Sequence, residues 1–186
     1  MMKATVPLKK TPNWKNLVFK KEKPIEIAGT RLTHWSVECD PSEFTFSGCG
    51  IGIDPGANFG ITYISELEFS VYNGVMPSAE HQEYGVRAYD LIKQFCHDNC
   101  LTSGDAAILE GASYGDSYGQ VGLAEIRFGF FLGMRHVGLD PIIVAPATPR
   151  RTVLGNGRLQ PMDIFPILNH NAADSLVLAL HSFMKD

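Results

Sequence analysis

The alternation of apolar and polar positions changes character near Cys49. Upstream, short β-rich stretches (Ile25-Glu-Ile27, Leu32 to Val37, Phe44-Thr-Phe46) are separated by Ala28-Gly-Thr and Asp40-Pro-Ser, and they predict a small hairpin extension over 25–48. Downstream, apolar runs of strand length alternate with stretches of helical period. Cys49 to Asp54 predicts a strand followed by a turn at Pro55-Gly-Ala-Asn58, and Phe59 to Ile64 and Leu67 to Tyr72 predict two more strands, close enough to pair as a meander. His81 to Asn99 places Tyr84, Ala88, Leu91, Ile92 and Phe95 on one helical face. Ala106 to Leu109 predicts a buried strand ending in Glu110, and Pro141 to Val144 a further short one. Gln120 to Val137 predicts a helix with two apolar faces: Ala124, Phe128, Phe131 and Leu132 on one, Leu123, Phe130 and Met134 on the other. Asn171 to Met184 predicts a closing helix with Ala173, Leu176, Val177, Leu180 and Phe183 toward a core. Three strands, then helix, strand, helix, strand and a last helix make an α/β fold, a mixed five-stranded sheet flanked by helices.

Composition sharpens this picture. With 186 residues, 45% hydrophobic and 19% charged, the chain has the size and make-up of one globular domain. Its net charge of −4 argues against a nucleic-acid partner until the charges are located. Residues 1–24 hold seven Lys and one Glu and read as a basic, solvated arm, which either meets phosphates or merely solubilises. The carboxylate excess lies in residues 25–186. The expected division is an arm over 1–24, the extension over 25–48 and the main domain over 49–186. No apolar run is long enough to cross a membrane. The basic N-terminus has no apolar segment behind it, so no secretory signal is expected. Cys39, Cys49, Cys96 and Cys100 read as reduced thiols; Cys96-His97 with Cys100 has the look of half a zinc site, but no second ligand pair follows. The expected location is the cytoplasm.

Three acids stand in unusual places. Asp54 closes the run Ile51-Gly-Ile53, Glu110 closes Ala107-Ile-Leu109, and Asp174 interrupts the apolar helix Ala172 to Val177. Strand ends of this kind open into the crevice where α/β sheets carry their sites. Converging carboxylates repel one another, so the sensible partner is a divalent cation, and all-oxygen ligation favours Mg²⁺ or Mn²⁺ over zinc.

In chain order, Ile51-Gly-Ile-Asp54-Pro-Gly56, Ile108-Leu-Glu110, Ala145-Pro-Ala-Thr-Pro149 leading to Gly155-Asn-Gly157, and Ala172-Ala-Asp174-Ser-Leu-Val-Leu-Ala-Leu180 together resemble RuvC-type Holliday junction resolvases of the ribonuclease H-like superfamily. The resemblance covers residues 49–184. It implies a ribonuclease H-like fold, a homodimer, and paired nicks in four-way or otherwise branched DNA that depend on two Mg²⁺ per site, Mn²⁺ substituting. It implies that Asp54, Glu110 and Asp174 are the catalytic metal ligands, Asp54 bridging the two ions. The family's usual fourth ligand stands three residues before the last Asp; here Asn171 occupies that position and His170 precedes it. Both share a helical face with Asp174, so either can reach the metal. The stretch from Gly157 to Asn171 is shorter than in the family's bacterial members and holds Pro161 and Pro166, which exclude a long helix; the resemblance is then to a divergent branch, expected to be phage-like or otherwise mobile. The host is then a bacterial or phage-infected cell.

DNA contact falls to Arg150, Arg151 and Arg158, which lie in a 28-residue stretch, Pro146 to Ala173, whose only acid is Asp163. Screening over about 8 Å lets DNA feel that patch while distant acids fade. Gly111 to Gly119 carries Tyr114 and Tyr118 directly after Glu110, placed to stack on unpaired bases at a branch point. The second apolar face of the 120–137 helix is either a dimer interface or the seat of the N-terminal hairpin. Two rivals remain: a junction-binding protein of the same fold without cleavage, which Asn171 favours, and an actin- or hexokinase-like phosphotransferase. The latter needs two such domains to enclose ATP, more than 186 residues supply.

Overall fold

The computed structural model describes residues 13–40, 44, 46–77, 81–111 and 120–184. Tyr114, Tyr118, Thr45 and the first half of the basic arm lie outside the described residues. Strands β1 (Val18–Lys21), β2 (Ile25–Ile27), β3 (Thr30–Glu38), β4 (Gly50–Asp54), β5 (Asn58–Ile64), β6 (Phe69–Val75), β7 (Ala106–Glu110) and β8 (Ile142–Val144) form one sheet. Helices α1 (His81–Asp98), α2 (Gln120–His136), α3 (Ala147–Leu154), α4 (Pro161–Ile164) and α5 (His170–Phe183) cover it.

The centre of the sheet is the expected five strands, in the order β6-β5-β4-β7-β8. β4, β5 and β6 are an antiparallel meander, and β7 and β8 continue the sheet in parallel. β3 then pairs antiparallel with β6, and both β1 and β2 pair with the outer side of β3, so the β-rich extension lengthens the same sheet to eight strands. Phe44 and Phe46 lie outside any strand, although the β-rich composition there predicts one.

The expectation of a solvated arm also gives way over 13–24. A 3-10 turn at Trp14–Asn16 leads into β1, Trp14 and Leu17 are buried, and Phe19 packs edge-on against Phe165. Trp14 Nε1 donates to the Val153 carbonyl at 2.8 Å, tying this segment to α3. The lysine count hides three apolar residues, and these carry the segment into a core.

The sheet separates two cores. On one face Ile51, Ile53, Phe59 and Ile61 pack beneath α1 and α2, against Leu91, Phe95, Phe130 and Met134. On the other, Val71, Ile64 and Phe69 pack with Leu176, Val177 and Leu180 of α5 and with Val153 and Phe165. α5 seats directly on the strands because glycines lie beneath it. A Cβ on Gly52 would stand 2.3 Å from the Ala179 backbone N, and one on Gly60 2.0 Å from the Asn171 carbonyl O. No side chain fits there.

Helix α2 shows one buried stripe, Ile126, Phe130 and Met134, with Phe131 partly in the same core. Leu123, predicted to join Phe130 and Met134, is 41% exposed, as is Leu132, and Phe128 is 61% exposed. The β2–β3 hairpin does not cover this face: Ile25, Ile27 and Leu32 join the core beneath α1 and α2 instead.

Candidate active site

Strand alternation decides which acids meet. Ile51 and Ile53 enter the α1–α2 core, so Gly52 and Asp54 turn toward α5. Ala107 and Leu109 enter the same core, so Glu110 turns toward α5 as well. β4 and β7 pair in parallel with Ile53 beside Leu109, which leaves Asp54 and Glu110 at the matching ends of neighbouring strands. The third acid comes from the helix. Asn169 caps α5 by accepting from the Ala172 backbone N–H at 2.9 Å, and Asp174 lies just over one turn farther on. Asp54 is paired with Gly60, the glycine beneath Asn171, so the first turn of α5 lies over this end of the sheet. Below it, Thr62 Oγ1 and Ser175 Oγ are 2.9 Å apart, and Ser175 donates on to the Ala172 carbonyl.

Electrostatics reports the same convergence. Burial pushes the Asp54 carboxyl up to about 8, and Glu110 and Asp174 add to the rise against the pull of Arg150 and Arg127. Burial, then Asp174, pushes Glu110 up to about 7, again against Arg150 and Arg127. Asp174, only 3% exposed, is raised by burial although Arg150 and His170 draw it down.

Arg150, expected to contact DNA, lies on α3 and is turned inward. Its Nε and Nη2 donate to Asp174 Oδ1 at 3.1 and 2.7 Å, and its side chain is 14% exposed. His170 Nδ1 lies 2.8 Å from Asp174 Oδ2, the i,i+4 contact that helical spacing allows. Asn171 contributes its backbone to the seat over Gly60. Arg151 and Arg158 are exposed, Arg151 on α3 and Arg158 after it. Within the stretch Pro146 to Ala173, residues Ala147–Leu154 form a helix whose first turn accepts Pro149 and whose C-cap is Gly155 at φ 80°. Gly157 abuts the Ala147 carbonyl, so both glycines have structural work.

Arg127 is a site residue that the sequence pattern does not single out. It reaches from α2 to the end of β7, where Nε donates to the Glu110 carbonyl O at 3.1 Å, and its charge is felt by Asp54 and Glu110. Its signal in the sequence is a charge set between the apolar Ile126 and Phe128.

The donor chemistry suits a hard divalent cation: three carboxylates whose ionised forms burial and mutual repulsion disfavour, a strain that a 2+ charge relieves. Among the described residues no group of three His, Cys, Asp or Glu is arranged to grip one ion, and Arg150 and His170 stand against the two oxygens of Asp174. The half zinc site does not assemble either: Cys96 is buried and Cys100 exposed.

No protein-family model matches the chain, and no curated protein matches its sequence. Solved structures do. The chain is similar to T. thermophilus RuvC in complex with Holliday junction substrate, at 14% identity and a TM-score of 0.54 over 73% of this chain and 92% of that one. It is also similar to the Thermus thermophilus RuvC structure, at 14% identity and a TM-score of 0.52 over 72% and 92%. The fold is therefore RuvC-like, the ribonuclease H-like arrangement of a mixed sheet between helices.

Proposed function

We propose that the chain is a metal-dependent endonuclease that nicks branched DNA, four-way junctions above all, in pairs through a homodimer. The meeting of Asp54, Glu110 and Asp174 at one corner of a RuvC-like sheet carries this reading. The T. thermophilus relative was solved with a Holliday junction substrate, which supports a branched DNA partner here.

Asp54, Glu110 and Asp174 would hold Mg²⁺ or Mn²⁺, with His170 or Asn171 at the margin. Such ions, when bound, supply Lewis acidity and an activated water for in-line attack on a phosphodiester. The chain's own residues set the conditions. Asp54 and Glu110 retain protons near neutral pH in the metal-free chain and release them as a cation enters. Arg151 and Arg158, exposed on and beside α3, bind the DNA backbone, and affinity falls with salt as the contacted phosphates are counted out. The exposed Phe128 and Leu132 on α2 form the proposed dimer contact.

A second reading, junction binding without cleavage, is favoured by the Arg150–Asp174 ion pair and by Asn171 in the fourth-ligand position. A synthetic four-way junction incubated with Mg²⁺ or Mn²⁺ separates the two. The nuclease reading expects cleavage by the wild-type chain and none by Asp54→Asn. Cleavage that survives Asp54→Asn overturns the site, whereas cleavage seen only in Asn171→Asp establishes the binding-only reading for the natural chain.

A further inference from the structure

Of the three arginines around α3, Arg150 alone is turned away from solvent. Its contact is not the fork-on-fork geometry of a structural arginine–carboxylate pair. Both donors converge on one oxygen of Asp174, at 3.1 and 2.7 Å, because His170 stands 2.8 Å from the other. The same guanidinium is the charge that pulls against the rise of Asp54, Glu110 and Asp174 alike. One fixed positive charge therefore serves all three acids.

We infer that Arg150 is the resting counter-ion of this site: its guanidinium holds Asp174 until a divalent cation displaces it, and once displaced it is free to take a DNA phosphate. The inference rests on the metal-dependent nuclease reading. Arginine keeps its charge at every accessible pH, so the site cannot empty by deprotonation and only movement clears it. A 1+ and a 2+ charge on one buried carboxylate repel, so the Arg150 ion pair and cation entry compete for Asp174. Rotation of the long Arg150 side chain is enough to free the guanidinium, with the helix that carries it held in place by Val153 and Trp14. A phosphodiester offers the displaced guanidinium an acceptor of the same geometry, and the exposed Arg151, next to it on α3, is proposed above to bind the same backbone. Binding of metal and of DNA would then be linked through one side chain, each favouring the arrangement that the other needs.

Mn²⁺ binding to the full chain without DNA, followed by the electron paramagnetic resonance of the free ion, tests this independently of cleavage. Arg150→Gln is expected to bind Mn²⁺ about tenfold more tightly than the wild type, as relief of one competing charge predicts. Arg150→Lys, which keeps the charge but loses the fork, is expected to fall between them. Mn²⁺ should also raise the melting temperature of Arg150→Gln more than that of the wild type. Equal or weaker Mn²⁺ binding by folded Arg150→Gln overturns the inference while leaving the nuclease reading intact. If that variant does not fold, an Arg150→Lys affinity no higher than wild type overturns it instead. Absence of Mn²⁺ binding in every protein removes the metal reading and the inference together.

Discussion

Asp54 and Glu110 are carboxyls that hold their protons, about 8 and about 7, far above the value near 4 that each has in an unfolded chain. Between those limits the folded metal-free chain binds more protons than the unfolded one. The contribution of these two groups to stability is therefore greatest below about pH 4, declines as the pH rises, and is lost above about pH 8. Each group contributes a slope of up to about 1.4 kcal/mol per pH unit within its window. Urea unfolding in a chelator should show a lower midpoint at about pH 9 than at about pH 5, and Asp54→Asn should flatten the difference. Saturating Mn²⁺ should reverse the trend, because its ligands must be ionised. The convergence of these acids is legible in the sequence, where each one closes or interrupts an apolar run. The inward turn of Arg150 is not, since it depends on how closely α3 approaches α5. Arg127 is not legible either, because beside Glu125 it has the pattern of an ordinary solvated helix face.

Among the elements, the strand and helix order from β4 to α5 follows from periodicity, with ends displaced by no more than a few residues. The exceptions are α3 and the four-residue α4, and α3 is the informative one. Pro146, Pro149 and Gly155 look like loop punctuation, yet proline is tolerated in a helix's first turn and glycine favoured just past its end. The seat of α5 is the element on which the site most depends. Gly52→Ala and Gly60→Ala would drive a methyl into α5 backbone at 2.3 and 2.0 Å. Each should cost about 3 kcal/mol or more, since backbone rather than a flexible side chain must yield. Each should also weaken Mn²⁺ binding without removing any ligand, measurable by calorimetry alongside the unfolding midpoint.

At the scale of the whole molecule, the sheet divides packing from chemistry. Phe130 is fully buried under α2, on the face opposite Asp174. Phe130→Ala should cost about 3–5 kcal/mol of stability while leaving the Mn²⁺ affinity of the folded protein near wild type, a split that calorimetry and titration would show. The outer face of α2 bears on assembly. Phe128→Glu places a charge on a 61% exposed apolar position and should convert a dimer to a monomer in sedimentation, with melting temperature little changed. An unaltered sedimentation profile would reject α2 as the contact. Net charge is uninformative at this scale because the acids include the site's own carboxylates and the lysines cluster at one end.

Trp14 stands inside what composition reads as a disposable basic tail, yet its indole grips the Val153 carbonyl on the helix that carries Arg150. Trimming the chain at Leu17 to tidy its N-terminus would therefore unbrace α3 at a distance from every carboxylate. A shortened protein with altered metal affinity would not report on the lysines it lost; it would report on a missing tryptophan.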